Sequence, residues 1–247
     1  NNMIKRTYKF SNAETDFYLA NGISHLKKIT EIKATVLITD EHVYKAHSKR
    51  FKGWDTIVLK AGEEFKIQET VDAVIEQLIT MEADRKTTLV GVGGGVITDI
   101  TGYVASVYMR GLRFGFIPTT ILSLVDASIG GKNGIDVGVY KNLVGTIRQP
   151  AFLLYDVALL KTLPDGAWQN GFAEIIKHAC IKDAPMFREL ARHDIDWYRK
   201  KKTELARLVQ RNALLKTKVV QNDETEQGDR KLLNYGHTLG HALENQY

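Results

Sequence analysis

Short runs rich in β-branched residues alternate with longer amphipathic stretches from residue 34 onward, and this pattern constrains the fold most strongly. Runs at 35–39, 56–59 and 88–92 have the length and composition of strands, whereas residues 67–81 repeat apolar positions with the period of a helix. Strands that alternate with helices usually pair in parallel within a layered sheet. We therefore predict an α/β N-terminal domain with a parallel sheet.

The second part of the chain has a different pattern. Residues 114–118 and 152–156 predict two further strands, but after Leu163 helical periodicity continues through Glu244. We predict an α/β domain at 1–160 and a mostly α-helical domain at 161–247. The sequence ends within a helical pattern that has no stop signal, so we expect the second domain to be incomplete here.

Composition and charge argue against several classes of protein. The chain has 247 residues, of which 44% are hydrophobic and 26% charged, as is usual for a globular protein. It lacks the roughly 18-residue apolar run of a membrane span and an N-terminal secretory signal. The net charge of +5 is not interleaved with aromatic residues as on a nucleic-acid surface. We expect a cytoplasmic protein that binds an acidic small molecule, and neither membrane nor nucleic acid.

A glycine-rich segment follows the strand at 88–92 and precedes a predicted helix. Gly93, Gly94 and Gly95 let the backbone approach a ligand closely, and a helix N-terminus favours a phosphate group. The spacing differs from the dinucleotide fingerprint, so a tight turn without a ligand is the alternative. The strand before the glycines and the helix after them favour a nucleotide.

The densest set of polar and cationic residues lies at 118–142. Lys132 and Lys141 supply positive charges for an anion, and Asp126 and Asn142 can orient hydroxyl groups. Each residue alone would suggest a polar loop. Together with the glycines in the same span, which include the pair Gly130 and Gly131, they predict a site for a phosphorylated molecule.

His237 and His241 are four residues apart, so a helix would place them on one face, where they could bind one metal ion. Upstream, Glu174 precedes Lys177 and His178 by three and four residues, which adds a carboxylate of the kind that zinc uses. The alternatives are ordinary surface or core histidines and a helix ion pair between Glu174 and Lys177. These residues alone leave the metal site open.

The chain resembles the 3-dehydroquinate synthases, which are sugar-phosphate cyclases, from about Thr35 to its end. The resemblance is carried, in order, by residues 93–99, 108–111, 118–120, 125–132, 141–142, 174–177 and 234–241. It implies a Rossmann-like first domain, a helical second domain and a homodimer. It also implies an enzyme that uses NAD and a divalent metal, zinc or cobalt. The substrate would be 3-deoxy-D-arabino-heptulosonate 7-phosphate, and the products 3-dehydroquinate and phosphate, through transient oxidation, elimination, reduction and aldol closure.

The resemblance also assigns site residues. The NAD site would contain Asp40, Glu63, Lys66, Gly94, Gly95, Val96, Ile97, Thr98, Asp99, Thr119, Thr120, Lys132, Lys141 and Thr162. The substrate and catalytic positions would be Arg110, Asp126, Lys132, Asn142, Lys177, Arg230, Asn234 and His241, with Arg110 reaching into a neighbouring subunit. The metal ligands would be Glu174 and His237, and a third histidine is expected beyond Tyr247.

Within the resemblance, His241 changes from a candidate ligand to a substrate and proton-relay residue. Lys132, Asn142 and His241 would bind the phosphate, while Lys177 and Arg230 suit the substrate carboxylate. Thr98 stands where the family commonly has glycine, which would tighten the turn beside the pyrophosphate of NAD.

Three other functions remain open. The chain could be another sugar-phosphate cyclase such as 2-deoxy-scyllo-inosose synthase, a metal-dependent polyol dehydrogenase, or an inactive fragment that retains NAD binding. The dehydrogenase shares the glycine turn and the two-domain layout. It has no need of a phosphate site, so Lys132 and Lys141 argue against it.

Overall fold

The computed structural model describes residues 4–19 and 22–236. Strands in these ranges are β1 (Ile4–Lys9), β2 (Glu14–Leu19), β3 (Thr35–Asp40), β4 (Asp55–Leu59), β5 (Thr88–Gly93), β6 (Arg113–Pro118), β7 (Lys132–Val137), β8 (Tyr140–Ile147) and β9 (Phe152–Tyr155). The α-helices are α1 (Glu41–Phe51), α2 (Gln68–Thr80), α3 (Gly95–Val107), α4 (Asp165–Lys182), α5 (Ala184–Leu190), α6 (Ile195–Lys200) and α7 (Lys202–Asn222).

Seven strands form one sheet in the order β1-β2-β9-β6-β5-β3-β4. Neighbouring strands pair in parallel except β1 and β2, which form an antiparallel hairpin at one edge. The central strands β3 and β5 are buried along their length except at Asp40, as expected for strands covered on both faces. The predicted α/β fold with a mainly parallel, Rossmann-like sheet is confirmed.

Two hairpins were not predicted from the sequence. β1 is almost entirely exposed and carries mostly charged and polar residues, so it lacks the apolar alternation that indicates a strand. β7 and β8 form a separate antiparallel pair, and β8 is also almost fully exposed. The segment 118–142, in which we predicted a site for a phosphorylated molecule, therefore includes the strand β7 and the turn of a hairpin.

The helices α4–α7 share the hydrophobic core with the sheet. Buried Phe172 and Ile175 of α4 and Leu208 of α7 belong to the same cluster as Phe114 of β6. The change from strands to helices falls between β9 and α4, close to residue 160, and the division into two domains stays a prediction. None of the helices in the described ranges is long and apolar enough to cross a lipid bilayer.

The order of the strands creates a crevice at the carboxyl edge of the sheet. The chain leaves β3 towards β4 on one side and then returns to β5 on the other side of β3. When the connections from two neighbouring parallel strands run to opposite sides, a crevice opens beyond the carboxyl ends of those strands. Ligands of α/β proteins commonly bind in such a crevice. Asp40 ends β3 and Gly93 ends β5, so both lie at this crevice.

Candidate functional site

The three glycines form the turn from β5 to α3. A Cβ atom on Gly93 would lie 2.5 Å from the Cβ of Ile97, and one on Gly94 would lie 3.2 Å from Cγ2 of Thr120. The turn is held to β6 because the amide of Thr119 donates to the carbonyl of Gly93 at 2.9 Å. The packing therefore favours glycine here, and the N-terminus of α3 lies directly behind the turn. A phosphate group suits this position.

Thr98 lies in the first turn of α3 and is buried. Its hydroxyl donates to the carbonyl oxygen of Gly95 at 2.9 Å, and its amide donates to the carbonyl oxygen of Gly94 at 3.1 Å. The side chain is thus accommodated by hydrogen bonding within the helix itself. Its predicted effect on NAD binding stays a prediction.

The other residues assigned to NAD mostly follow the carboxyl ends of parallel strands. Asp40 follows β3 in this way and caps α1, accepting from the amide of Val43 at 2.9 Å. Thr119 and Thr120 follow β6, and Thr162 lies seven residues beyond the end of β9. Lys132 and Lys141 are exceptions, because they lie on β7 and β8 of the antiparallel hairpin.

A buried charge network surrounds Lys66, which is only 4% exposed. Its ammonium lies 2.9 Å from Glu63 Oε1, 3.4 Å from Asp99 Oδ2 and 3.8 Å from Asp136 Oδ1. It also donates to Asn142 Oδ1 at 2.9 Å. One ammonium thus faces three carboxylates. Burial raises the pKa of Asp99 to about 7, although the charge and hydrogen bond of Lys66 lower it.

A cavity of about 600 Å³ lies beside this network. It is bordered by α3, the turn at 123–129, the β7–β8 hairpin, α7 and residues 226–234. It brings together six of the residues assigned from the resemblance, namely Asp99, Asp126, Lys132, Asn142, Arg230 and Asn234. It also contains Lys216 and Glu226, which the sequence analysis missed.

A larger cavity of about 950 Å³ lies between α1, residues 22–32 and the start of α7. None of the predicted site residues lines it, and lysines at its rim such as Lys49 and Lys202 are exposed. We place the functional site in the smaller cavity because six of the predicted site residues line it, whereas none lines the larger one.

Asp126 lies in a π-helical turn at 123–127 and is held by Lys216 of α7. The ammonium of Lys216 lies 2.5 Å from Asp126 Oδ1 and donates to the Asp126 carbonyl at 2.7 Å. Burial opposes ionisation of Asp126, but the charge and hydrogen bond of Lys216 outweigh it and lower the pKa to about 2. A signal for Lys216 exists in the sequence, since it is a lysine on the buried face of α7.

Glu226 lies between cationic and amide groups that were predicted to bind substrate. Its carboxylate pairs with Lys132 and accepts from Asn234 Nδ2 at 2.5 Å. Burial opposes ionisation, but the hydrogen bonds of these two partners lower the pKa of Glu226. The backbone of Glu226 is left-handed, with φ of 58°. An internal anion therefore contacts the cation that we assigned to the substrate phosphate.

Arg230 is 3% exposed and is fixed by backbone carbonyls. Its guanidinium donates to Glu224 O at 2.7 Å and to Gly130 O at 3.1 Å. Gly130 has φ of 112°, and a Cβ there would lie 2.4 Å from Arg230 Nη2, so glycine is needed for this approach. Arg230 thereby fastens residues 224–230 to the glycine pair that precedes β7.

Glu174, Lys177 and His178 lie on one face of α4, as their spacing predicted. Glu174 Oε1 is 2.8 Å from the ammonium of Lys177 and 3.1 Å from Nε2 of His178. Lys177 also donates to Leu233 O at 2.5 Å, which ties α4 to the segment at 229–234. Glu174, His178 and Asp126 each offer a ligand atom, and these atoms lie within 4.8 Å of one another.

Glu174 Oε1 and His178 Nε2 are both buried and face each other, and the ammonium of Lys177 is the cation now in contact with Glu174 Oε1. A carboxylate and an imidazole nitrogen of this kind are ligand types that a divalent cation uses. Asp126 and His178 were not predicted as ligands. His237 and His241 lie outside the described residues, so their roles, and that of Glu174 as a ligand, stay predictions.

Arg110 lies exposed on a turn after α3, outside the lining of the cavity. Met109, Arg110 and Gly111 all have positive φ, at 49°, 63° and 123°. Two consecutive non-glycine residues in the left-handed region are strained, and such strain is often retained at functional sites. The predicted contact with a neighbouring subunit stays a prediction.

Two family models match adjacent parts of the chain, 3-dehydroquinate synthase N-terminal at 56–170 and 3-dehydroquinate synthase C-terminal at 171–247. The chain is also 40% identical over 231 residues to a 3-dehydroquinate synthase from Campylobacter curvus (strain 525.92). That match covers 91% of this chain and 65% of the relative, so the chain spans less than two thirds of that protein's length.

Two solved structures are similar over nearly the whole chain. One is 2-deoxy-scyllo-inosose synthase complexed with carbaglucose-6-phosphate, NAD+ and Co2+, with a TM-score of 0.85, 25% identity, and coverage of 98% of this chain and 71% of that one. The other is 2-epi-5-epi-valiolone synthase from Streptomyces hygroscopicus subsp. jinggangensis 5008 with NAD+ and Zn2+ bound, with a TM-score of 0.78, 26% identity, and coverage of 94% and 68%.

Proposed function

We propose a function from one premise: the chain belongs to the 3-dehydroquinate synthase family. The function is conversion of 3-deoxy-D-arabino-heptulosonate 7-phosphate to 3-dehydroquinate and phosphate, as a step of the shikimate pathway. The observation that carries this proposal is the convergence of Lys132, Lys216 and Arg230 on one cavity, close to the possible ligand atoms of Glu174 and His178. Such a site suits an anionic substrate beside a divalent cation.

NAD would bind at the crevice between the carboxyl ends of β3 and β5. The Gly93–Gly95 turn and the N-terminus of α3 suit its pyrophosphate, and the carboxylate of Asp40 suits a ribose hydroxyl. The proposal gains support from the two solved cyclases, whose structures hold NAD+. The remaining residues assigned from the resemblance are proposed contacts of the same cofactor.

A divalent cation would be held by Glu174 and by His237. Support comes from the buried carboxylate of Glu174, which lies among other possible ligand atoms, and from the Co2+ and Zn2+ in the related cyclases. When bound, NAD would accept and return a hydride while the cation polarised the substrate oxygens that take part. The ionised Asp126, fixed by Lys216, would accept a hydrogen bond from a substrate hydroxyl and orient it.

The chain's cations would hold the two anionic ends of the substrate. Lys132 would exchange the carboxylate of Glu226 for the substrate phosphate, with Asn142 and His241 as further phosphate partners. A positioned ammonium also stabilises the negative charge that develops as phosphate leaves. Lys177 and Arg230 would bind the carboxylate at the other end of the substrate.

Another sugar-phosphate cyclase activity is the second candidate, because both solved relatives act within that group by their names. The discriminating feature is the substrate carboxylate, which a hexose 6-phosphate lacks. Lys177 and Arg230 add two cations beyond Lys132, which we assign to the phosphate, and these two would suit a second anionic group on the substrate. They favour the heptulosonate phosphate.

We also propose a homodimer in which Arg110 of one subunit contributes to the site of the other. The exposed and strained turn at Met109–Gly111 supports this proposal. The mass of the protein in solution, measured by light scattering, would test it. A monomer with full activity would contradict a shared site.

The main test uses the protein expressed from its complete coding sequence. Incubation with the heptulosonate 7-phosphate, catalytic NAD and Co2+ or Zn2+ should release inorganic phosphate without net accumulation of NADH. Release from glucose 6-phosphate instead would identify the second candidate. Accumulation of NADH with glycerol, without phosphate release, would indicate a polyol dehydrogenase. Absence of all three activities would leave an inactive NAD-binding protein.

A variant tests the metal site. Glu174→Ala should abolish metal-dependent turnover, by at least about 100-fold, while NAD binding measured by fluorescence titration stays unchanged. Glu204→Ala is the matched control, because Glu204 is a helical glutamate that pairs with Arg207 at the surface, away from the cavity. Unchanged activity of Glu174→Ala would remove this residue from the ligand set.

A further inference from the structure

We infer that Asp136 is a positioning residue for the substrate phosphate, because it and Lys66 hold Asn142 so that the amino group of its side chain faces the cavity. The inference deepens the proposed function and rests on the phosphate contact proposed there for Asn142. Asp136 was not predicted as a site residue. It lies on β7 two residues after Gly134, which lines the cavity, and it is only 8% exposed, although aspartates are mostly found at the surface.

An irregularity in the β7–β8 hairpin brings these residues together. The pairing is regular up to Ile135 and Val144, and then the register shifts. Asp136 has no register partner on β8, and its amide donates instead to the carbonyl oxygen of Lys66 at 2.7 Å. Asn142 lies in the shifted part of β8 with φ of 57°. Such irregularities re-aim side chains and are common beside functional sites.

The carboxylate of Asp136 holds the backbone of Asn142. It accepts a hydrogen bond from the Asn142 amide at 2.8 Å. A left-handed backbone is unfavourable for a residue with a Cβ atom and persists where surrounding contacts hold it. A hydrogen bond to a charged acceptor is a strong contact of this kind. Asp136 therefore fixes the direction in which the side chain of Asn142 leaves the strand.

The ammonium of Lys66 determines how the side-chain amide of Asn142 is turned. It lies 2.9 Å from Asn142 Oδ1, and because an ammonium has only donors, it must face the oxygen of the amide and not the nitrogen. The same ammonium is 3.8 Å from Asp136 Oδ1, which attracts it to this position. Nδ2 of Asn142 is left without a hydrogen-bond partner among the described residues.

An amino group with two unused donors suits an anionic acceptor. Asn142 lines the cavity together with Lys132, the cation that we assign to the substrate phosphate. Ionised phosphate oxygens accept hydrogen bonds, so they match Nδ2 and the ammonium alike. An amide turned the other way would direct its oxygen at the phosphate and repel it. Asp136 thus acts through Asn142 and needs no contact with the phosphate itself.

Calorimetric titration with the heptulosonate 7-phosphate tests this inference without turnover, when NADH replaces NAD and leaves no acceptor for a hydride. Asp136→Ala should weaken binding about tenfold, as expected for the loss of one well-placed donor to a charged group. Asp55→Ala is the matched control, because Asp55 lies exposed at the start of β4 and does not line the cavity. Unchanged affinity in folded Asp136→Ala would overturn the inference.

A double-mutant cycle separates positioning from a general loss of structure. Asn142→Gly removes the side chain and tolerates the left-handed backbone. In that background Asp136→Ala should change the affinity less than about twofold, because the group through which it acts is absent. A tenfold loss in both backgrounds would show that Asp136 acts elsewhere, and would refute the inference.

Two further variants keep the inference testable if Asp136→Ala does not fold. Asp136→Asn keeps an acceptor for the Asn142 amide and should bind within about threefold of the wild type. Lys66→Met removes the donor that turns the amide and should weaken binding about tenfold, again only when Asn142 is present. A tenfold loss in Asp136→Asn, or an undiminished effect of Lys66→Met in the Asn142→Gly background, would contradict the proposed positioning.

The proposed function and this inference can fail separately. Binding of the heptulosonate phosphate that depends on Asp136 through Asn142, without release of phosphate, would refute the reaction and support the inference. Release of phosphate with an affinity independent of Asp136 would support the reaction and overturn the inference. If glucose 6-phosphate is the substrate instead, the same titrations with that ester decide, because the phosphate contact is shared. A protein that binds neither ester would contradict both.

Discussion

Two aspartates line the same cavity, yet their environments act in opposite directions. Asp99 shares the single ammonium of Lys66 with Glu63 and Asp136, and burial raises its pKa to about 7. Asp126 has the ammonium of Lys216 at 2.5 Å, and this pairing overcomes burial and lowers its pKa to about 2. The ratio of cations to carboxylates thus decides which aspartate is ionised at neutral pH.

This difference assigns distinct abilities to the two sides of the cavity. The Asp126 side keeps a permanent negative charge that can orient hydroxyl groups and lies next to Glu174 and His178. The Asp99 side, beside the glycine turn, can gain or lose a proton near neutral pH. Titratable groups with divergent pKa values in one cavity are a recognised feature of enzyme sites.

The largest expected effect on the free energy of unfolding comes from breaking the ion pair between Asp126 and Lys216. Lys216→Met leaves the carboxylate of Asp126 buried without its ammonium and should lower the free energy of unfolding by about 3–5 kcal/mol. Urea denaturation measures this effect. Lys218→Met, two residues away on the exposed face of α7, is the control and should change little. A loss below about 1 kcal/mol for Lys216→Met would show that the pair is not buried in solution.

The second effect concerns the pH dependence of stability. Because folding raises the pKa of Asp99 from 3.8 to about 7, the folded state holds this proton more tightly than the unfolded state. The stabilisation is complete below about pH 4 and is lost as the pH rises through 7, by an amount on the order of 2–4 kcal/mol. Asp99→Asn should remove this decline. Urea unfolding of both proteins at several pH values is the measurement, and parallel curves would contradict the expectation.

A smaller effect is expected from removing the shared ammonium. Lys66→Met should cost about 1–3 kcal/mol at neutral pH, less than Lys216→Met, because Asp99 can take up a proton in compensation. The cost should shrink at about pH 5, where protonation is easier. Lys86→Met, at an exposed lysine, serves as the control. If the loss of stability in Lys66→Met instead increased as the pH is lowered, Asp99 would not be compensating by taking up a proton, and the contrast drawn with Asp126 would be wrong.

The smallest effect on stability belongs to the exposed pair at the mouth of the cavity. The side chain of Lys132 is 55% exposed, so Lys132→Met should change the free energy of unfolding by less than about 1 kcal/mol. The KM for the phosphorylated substrate should nevertheless rise at least about tenfold, since a charged phosphate contact is lost. Steady-state kinetics and urea denaturation together check this. An unchanged KM would remove Lys132 from the phosphate site.

Much of the sheet could be predicted because its buried strands carry continuous apolar runs. The segments at 35–39 and 88–92 are covered on both faces, which leaves a clear pattern in the sequence. The hairpins β1–β2 and β7–β8 could not be predicted in the same way. Pairing stabilises their exposed strands, and pairing between chain segments leaves no periodic apolar signal.

Residues that line the candidate cavity could be named from the sequence where they belong to recognisable motifs, as Asp126, Lys132 and Asn142 do. Lys216 and His178 were missed because their significance depends on contacts across about 90 and 34 residues of sequence, with Asp126 and Asn212. Tertiary packing creates these contacts. A lysine on the buried face of α7 departs from the amphipathic pattern, and such a departure indicates a buried anionic partner elsewhere in the chain.

The carboxylate of Glu226 occupies the cation of the cavity, Lys132, to which we assign the substrate phosphate. Its carboxylate already pairs with Lys132 and Asn234, so a phosphate bound to Lys132, as we propose, would have to displace it. Binding would then be an exchange of anions, and its free energy would be the difference between two sets of contacts. A small inorganic anion would gain little from such an exchange. The proposed substrate, which would also engage Lys177 and Arg230, would gain more, so the cost of moving one glutamate would favour the larger molecule.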